Sequence, residues 1–359
     1  MRLQIRPGLS VAWRGPGRLQ VGLHPRYGVV LDGLDGADER LLDMLLAGQH
    51  DTRALLVASE AAGGTARRVH ELLHTLSEAA LLVRSTASAR ETAGLGRPDR
   101  DRLAAVARTL SLDPASGGDG WDLVLRRRST GAAVLGAGRV GLAVAVGLAE
   151  AGVGTVVVRD AARLGPHDLA PGGYRSTDLG RTRGAAAADV VARHAPGTRT
   201  TFAGLLRPGV TVVCASDAVD PAHYDGLLRE DVAHLPVVLR EDDAVVGPLV
   251  RPGTSCCLRC LDLYRADRDP GWPQVLAQLV TRPERDPDPA LGRLAAALAV
   301  TQALAEVDGR AYPDALGRTL EVSLAHPVPV LRQWPAHSRC GCRGVPVSGR
   351  VPETRTIGT

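Results

Sequence analysis

The clearest hydrophobic pattern in the chain lies between Gly131 and Asp160. Ala132–Leu135 is a short apolar run, followed by the turn Gly136-Ala-Gly138-Arg-Val-Gly141. Leu142–Ala151 is Ala-rich and predicts a buried helix that Gly152 and Gly154 end. Thr155–Val158 is a second apolar run, closed by Asp160. Strand, glycine turn, helix, strand and acid in this order predict a nucleotide-binding-type βαβ unit. The first glycine permits a tight turn, the second lets a phosphate approach the backbone, and the third lets helix and strand pack closely. The helix N-terminus offers unpaired N–H groups to an anion. Asp160, 19 residues past Gly141, is placed to accept a bond from a ribose hydroxyl. The plainer alternative is a glycine-rich turn in an α/β core that binds nothing.

Before this unit the pattern predicts a small separate domain over residues 1–84. Leu9–Trp13, Leu19–Leu23 and Tyr27–Leu31 are short β segments punctuated by Gly and Pro. Three helical patterns follow: a stripe of Leu41, Leu42, Leu45 and Leu46 after Asp35, then roughly Thr52–Ala61, then Val69, Leu72, Leu73 and Leu76. Leu81–Val83 returns as a strand, so the order suggests a winged-helix-like domain. Residues 85–120 form a linker rich in Ser, Thr, Ala, Gly and Pro with one helix, Asp99–Leu110. Trp121–Arg127 predicts a strand.

Beyond Asp160, strands and helices alternate. Helices are expected at Ala185–Ala195, Pro221–Arg229 and Pro289–Val307. Strands are expected at Thr211–Ala215, Val237–Leu239, Val245–Val250, Thr319–Ser323 and Val328–Leu331. This predicts an α/β, Rossmann-like fold with a mostly parallel sheet and a mixed-direction end over residues 121–342. The polar, unpatterned residues 343–359 predict a disordered tail.

Composition changes this picture in a few places. Hydrophobic residues make up 45% of the 359, which suits a globular, soluble chain of two domains. Phe202 is the one phenylalanine, so the core is built of Leu, Val and Ala; Lys and Asn are absent, which removes any chemistry needing a lysine amine. The net charge of +4 is mild and spread out, which argues against nucleic acid. The start lacks an apolar core long enough for a signal peptide, and no window approaches 18 uninterrupted apolar residues, so no membrane role is expected. Five of the six cysteines fall in two tight clusters, which suits a reducing cytoplasm and a metal. His70-Glu71-Leu-Leu-His74 is a literal H-E-x-x-H. A zinc-protease helix is one reading; two surface histidines are the other, because both lie about 130° from the apolar stripe at 100° per residue.

Cys257-Leu-Arg-Cys260 and Cys340-Gly-Cys342 are two close cysteine pairs separated by a folded segment. Together they can close a four-thiolate zinc site, structural because no position remains for water. Free buried cysteines or a redox pair are the alternative. Cys256 stays unassigned, and Cys214, in an apolar strand, suits core packing.

The ordered set of GAGRVG loop, Asp160, Gly180-Arg-Thr-Arg183, Ala215-Ser-Asp217, CLRC, the long late helix and CGC resembles the ThiF-like relatives of ubiquitin-activating enzymes over roughly 121–342. The resemblance implies an ATP-dependent adenylyltransferase that activates the C-terminal carboxylate of a ubiquitin-like or peptide substrate. It implies nucleotide contacts at Gly136, Gly138, Gly141 and Asp160, a phosphate-steering base at Arg183, and magnesium at Asp217. It also implies homodimers. The chain departs from the family where an S-N-L-x-R-Q segment is expected: only Arg175 can replace the clamping arginine. Arg181 or Arg183 stands for the family's lysine, and Ala218 follows Asp217 in place of Asn. An arginine fork is no equivalent of a lysine point charge. With the N-terminal domain, these departures resemble the ThiF-like partner proteins of azoline-forming (TOMM) peptide biosynthesis. There the winged helix binds the leader of a ribosomal precursor peptide and a YcaO-type cyclodehydratase consumes the ATP. The glycine loop with Asp160 alone also suits an NAD- or FAD-dependent oxidoreductase, a reading that leaves the cysteine clusters unexplained.

Overall fold

The computed structural model describes residues 2–25, 28–85, 94–113, 115–203, 207–284 and 288–343. The chain divides into two compact units: Met1–Thr130 with Ala149–Thr155 and Ala192–Arg199, and Gly131–Leu148 with Val156–Val191 and Thr200 onward.

In the first unit, β1 (Leu3–Ile5) pairs with β5 (Leu82–Arg84), and β2 (Val11–Gly15), β3 (Arg18–Val21) and β4 (Val29–Leu31) form an antiparallel sheet in that order. The expected Tyr27–Leu31 segment begins outside the described residues. Helices α1 (Gly36–Ala47), α2 (Thr52–Ala61) and α3 (Ala66–Glu78) follow the leucine stripes. Their starts are fixed by Asp35, Asp51 and Thr65, whose side chains accept from the first-turn N–H groups. One core joins the elements through Leu19, Val21, Leu41, Leu45, Leu55, Val69 and Leu76. His70 and His74 are exposed, the His70 ring bonds to its own helix at Ala66 O, and Glu71 pairs with Arg67.

Helices α4 (Arg97–Leu110) and α5 (Trp121–Ser129) build a second core from Leu103, Ala107, Leu110, Leu123 and Val124. Here the sequence expectation fails: Trp121–Arg127 is helical. Leu123, Val124 and Arg127 are the buried positions, a spacing that puts them on one helical face, and a short apolar run alone cannot separate strand from helix. Gly120 makes the start possible at φ 87°, where a side chain would meet the backbone of Ala107.

The second unit is a seven-stranded sheet. It contains β6 (Gly131–Leu135), β7 (Thr155–Arg159), β8 (Val210–Ser216), β9 (His234–Leu239), β10 (Asp243–Val246), β11 (Arg318–Ser323) and β12 (Val330–Gln333). The order is β12-β11-β10-β9-β8-β6-β7. Strands β6, β8 and β9 run parallel, and β10, β11 and β12 add antiparallel hairpins. The expected Val245–Val250 strand stops at Val246, before Gly247-Pro248, because proline has no N–H for the ladder. Helices α6 (Arg139–Glu150), α7 (Arg183–His194), α8 (Pro221–Arg229), α9 (Leu258–Arg268), α10 (Trp272–Leu279) and α11 (Pro289–Val307) complete the fold. By length and composition α11 passes for a membrane span. It packs instead on β8, β9 and β10, and Val300 closes against Gly147 of α6, where a Cβ would come within 2.9 Å of it. Residues 344–359, expected as a tail, lie outside the described residues.

Candidate functional site

The glycine turn stands at the C-terminal end of β6, where open α/β sheets bind ligands. Gly136 has φ 84°, and a Cβ there would come within 2.5 Å of Cys214 O. At Gly141 a Cβ would strike the Gly136 carbonyl. Both positions exclude any other residue on steric grounds. Gly138 differs: its backbone faces a carboxylate, Glu284 Oε2, 3.5 Å from where a Cβ would sit. Cys214 forms the floor, and burial pushes its thiol up to about 12, which leaves it an unreactive packing group.

Asp160 is largely buried and already bonded. Its Oδ2 accepts from Ala137 N at 2.7 Å and its Oδ1 from Ala162 N at 2.8 Å. The glycine loop is also tied from the other side, since the buried Tyr174 hydroxyl donates to Ala137 O at 2.7 Å. Burial and the carboxylates of Asp160 and Asp168 hold the Tyr174 phenol well above its ordinary pKa, so it stays protonated and donating.

A cavity of about 860 Å³ opens beside the loop. Its walls include Gly136, Arg159, Asp160, Thr182, Cys214, Ser216, Asp220, His223, Arg282 and Glu284. A smaller adjoining space touches Gly136, Gly138, Arg139, Gly141 and Glu284. Gly136 lines both spaces, Asp160 the larger one, and Gly138 and Gly141 the smaller one. Asp217, Arg175 and Arg183 are not among the residues lining either space.

Asp217 adopts φ 62° and borders a small cavity with Val219, Tyr224, Asp262 and Ala218, the last of which also lines the large one. Arg175 is exposed. Arg183 is buried, 6% exposed at its side chain, and ringed by acids. Its Nε and Nη2 hold Asp168 at 3.1 and 2.9 Å, and its Nη1 pairs with Glu284 and lies 3.7 Å from Asp160. Burial works against the Arg183 charge, but Asp168 and Glu284 more than offset it and hold its pKa above that of an ordinary arginine. Sequence reasoning missed Tyr174, Asp168 and Glu284 as parts of the site. Asp168 carried a faint trace, standing between the ribose acid and Arg175; Glu284 carried none.

Away from the cradle, the four cysteines converge. Cys257 Sγ lies 3.8 Å from Cys260 Sγ and 3.6 Å from Cys340 Sγ, and Cys260 Sγ lies 3.4 Å from Cys342 Sγ. All four sulfurs fall within 4.8 Å of one another. A tetrahedral zinc with bonds of about 2.3 Å needs sulfur–sulfur edges of about 3.8 Å, so the donor set fits the ion. Cys257 caps α9 and Cys260 sits in its first turn, where helix N–H groups favour thiolate; a hydrogen bond with the Cys257 thiol also holds Cys260 below the ordinary thiol pKa. The C-terminal pair is held by His337, whose ring bonds Asp267 at 2.8 Å and packs edge-on against Tyr264. Cys256 is buried beside Gly317 and is not a member of the cluster. Among the described residues this is the one group of His, Cys, Asp or Glu with ligand-like convergence.

Residues 117–206 match the model of the ThiF family. No curated protein sequence matches the chain. Among solved structures, E. coli MccB crystallised with AMPCPP and MccA superposes with a TM-score of 0.68 at 14% identity, covering 96% of this chain and 100% of that one. The Microcin C7 biosynthetic enzyme MccB in complex with N-formylated MccA gives 0.66 at 16%, with coverage of 96% and 100%. PaaA gives 0.65 at 15%, with 91% and 98%. At these identities the likeness establishes the fold.

Proposed function

We propose that this chain, with a ThiF-family segment inside a ThiF-type fold, binds the leader of a ribosomal precursor peptide and presents it to a YcaO-type cyclodehydratase, its own ATP site being degenerate. One observation carries the second half of this reading. None of the three residues that would perform adenylation, Asp217, Arg175 and Arg183, lines the cavity beside the glycine loop. Transition-state stabilisation requires charge aimed at the reacting phosphate. Arg183 is instead enclosed by Asp160, Asp168 and Glu284.

The peptide-binding half draws support from the first unit, read as a winged-helix-like module, and from the match to structures of MccB with MccA. Strand β2 is an edge of its sheet and carries Trp13, 47% exposed and level with the buried Leu19 and Leu31. An added peptide strand would gain main-chain bonds along that edge and an aromatic anchor. The test is a fluorescence-anisotropy titration of the full chain with leader peptides from precursor genes beside its own. Saturable binding, weakened about tenfold or more by Trp13→Ala, supports the reading; flat titrations with every leader sink it. Zinc at the four cysteines would be structural, clipping the C-terminal segment to α9, and would take no part in chemistry.

A second reading, ATP-dependent adenylation of a peptide carboxylate with magnesium at Asp217, is favoured by the size of the cavity and by Asp160 on its rim. Pyrophosphate exchange that depends on a peptide and disappears in Asp217→Ala would establish it in place of the first.

A further inference from the structure

Glu284 belongs to no motif and follows α10 in a Pro- and Arg-rich stretch. Yet it lines both the large cavity and the space at the glycine loop. Its Oε2 stands 3.5 Å from the Cβ position of Gly138, the side on which the second glycine of such a loop admits a phosphate. The same oxygen pairs with Arg183 Nη1. A carboxylate standing beside the second glycine and paired with the site's arginine lies where a phosphate oxygen would approach. The neighbouring loop N–H, that of Ala137, is already taken by Asp160.

Resting on the nucleotide-cradle reading, we infer that Glu284 sets the ligand specificity of this site: its carboxylate occupies the phosphate position and selects against ligands that carry phosphate there. An entering phosphate chain meets Glu284 and Asp160 at close range, and like charges in a partly enclosed site repel strongly. The nucleoside portion is uncharged and meets no such repulsion from the rest of the lining, which includes Thr182, Ser216, Asp220, Arg159, His223 and Arg282. The Glu284 side chain is 47% exposed, so its replacement leaves the core of the unit untouched. Glu284→Gln keeps the shape and removes the charge; Glu284→Ala removes both.

The experiment is calorimetric titration of the full-length protein and both variants with Mg-ATP, inorganic pyrophosphate and adenosine. Both variants are expected to bind ATP and pyrophosphate about tenfold or more tightly than the parent, with adenosine changed less than twofold. Unchanged ATP affinity in both variants overturns the inference. So does an equal gain for adenosine, which would mean that space rather than charge was the obstacle, or no phosphate binding by any of the three proteins. Leader-peptide titrations on the same samples keep the readings apart. Unchanged ATP affinity in the variants with normal peptide binding removes only the role of Glu284, and tightened ATP binding with flat peptide titrations removes only the presentation role.

Discussion

Replacing Cys260 by serine, with Cys256→Ser as its partner experiment, tests whether the cysteine cluster is a metal centre. The two residues lie four positions apart and both are buried, but only Cys260 has its sulfur inside the cluster. A four-thiolate zinc contributes about 10–16 kcal/mol to folding, comparable with the whole stability of a typical domain at about 5–15 kcal/mol. Losing one ligand from a buried site therefore does more than lower the midpoint. It releases Cys340 and Cys342 from α9, leaving the His337–Asp267 bond and the packing of Trp334 to hold that segment. Cys256→Ser introduces one buried hydroxyl beside Gly317, a cost of about 1–3 kcal/mol. The assay is elemental analysis of purified protein, with limited proteolysis of the C-terminal segment. The parent and Cys256→Ser are expected to carry one zinc per chain and resist cleavage. Cys260→Ser is expected to lose the ion and be cut after α11. Zinc at full occupancy in Cys260→Ser, its loss in Cys256→Ser, or none in the parent would refute the reasoning.

Other consequences follow from the same geometry. Gly138→Ala meets only Glu284 at ordinary contact distance, so thermal melts should move little, within about 1 kcal/mol, whereas Gly141→Ala collides with backbone and should abolish the folded unit. Tyr174→Phe removes the hydroxyl bond to Ala137 O and is expected to cost about 1–3 kcal/mol in denaturant melts; a neutral result would mean that the loop carbonyl finds another donor. His234 is fully buried, and desolvation lowers its pKa below the ordinary histidine value of about 6.5. The unfolded chain therefore takes up a proton first as pH falls below that value. Stability contributed by neutral His234 is full above it and is lost on the way down to the folded-state pKa, by at most about 1.4 kcal/mol per pH unit. Melts between pH 5 and 7.5 should show a shallower acid-side slope in His234→Leu than in the parent; identical slopes would remove His234 from the account.

What could be read from the chain depended on how far apart the interacting residues lie. Helix α11 was legible to its ends because its boundaries are local: Asp288 accepts from Ala290 and Leu291, and Pro289 occupies the first turn. The glycine loop and the cysteine pairs were legible because their spacing encodes a turn and a ligand set. Strand β1 was missed, having three residues whose partner, β5, lies almost eighty positions on. Trp121–Ser129 was misread because W-D-L-V-L fits a strand as well as a helix until Leu110 and Ala107 are seen to cover one face. Glu284 was invisible for the strongest reason: its meaning depends on Arg183, 101 residues earlier, and on the loop it faces.

Arg183 joins three carboxylates into one arrangement beside the glycine loop. A lysine at that position is a single point charge on a flexible stem, free to turn toward a phosphate. The arginine here uses its fork: Nε and Nη2 grip both oxygens of Asp168, and Nη1 remains for Glu284 and Asp160. Asp168 is 2% exposed and Asp160 8% at their side chains, so each needs a permanent cation, and only a planar fork can serve three carboxylates at once. Arg183, the acid at 168 and the acid at 284 are thus parts of one arrangement. It follows that Arg183→Lys should not confer phosphate handling on its own. It leaves Asp168 half-satisfied and should cost about 3–5 kcal/mol, the penalty for breaking a buried pair. Adding Glu284→Gln removes one of the three competing charges, and the double variant should recover part of that loss. Stability of the two single variants and the double, compared as a cycle, decides the matter: strict additivity would show that Arg183 and Glu284 act independently, and the arrangement would then not be one unit.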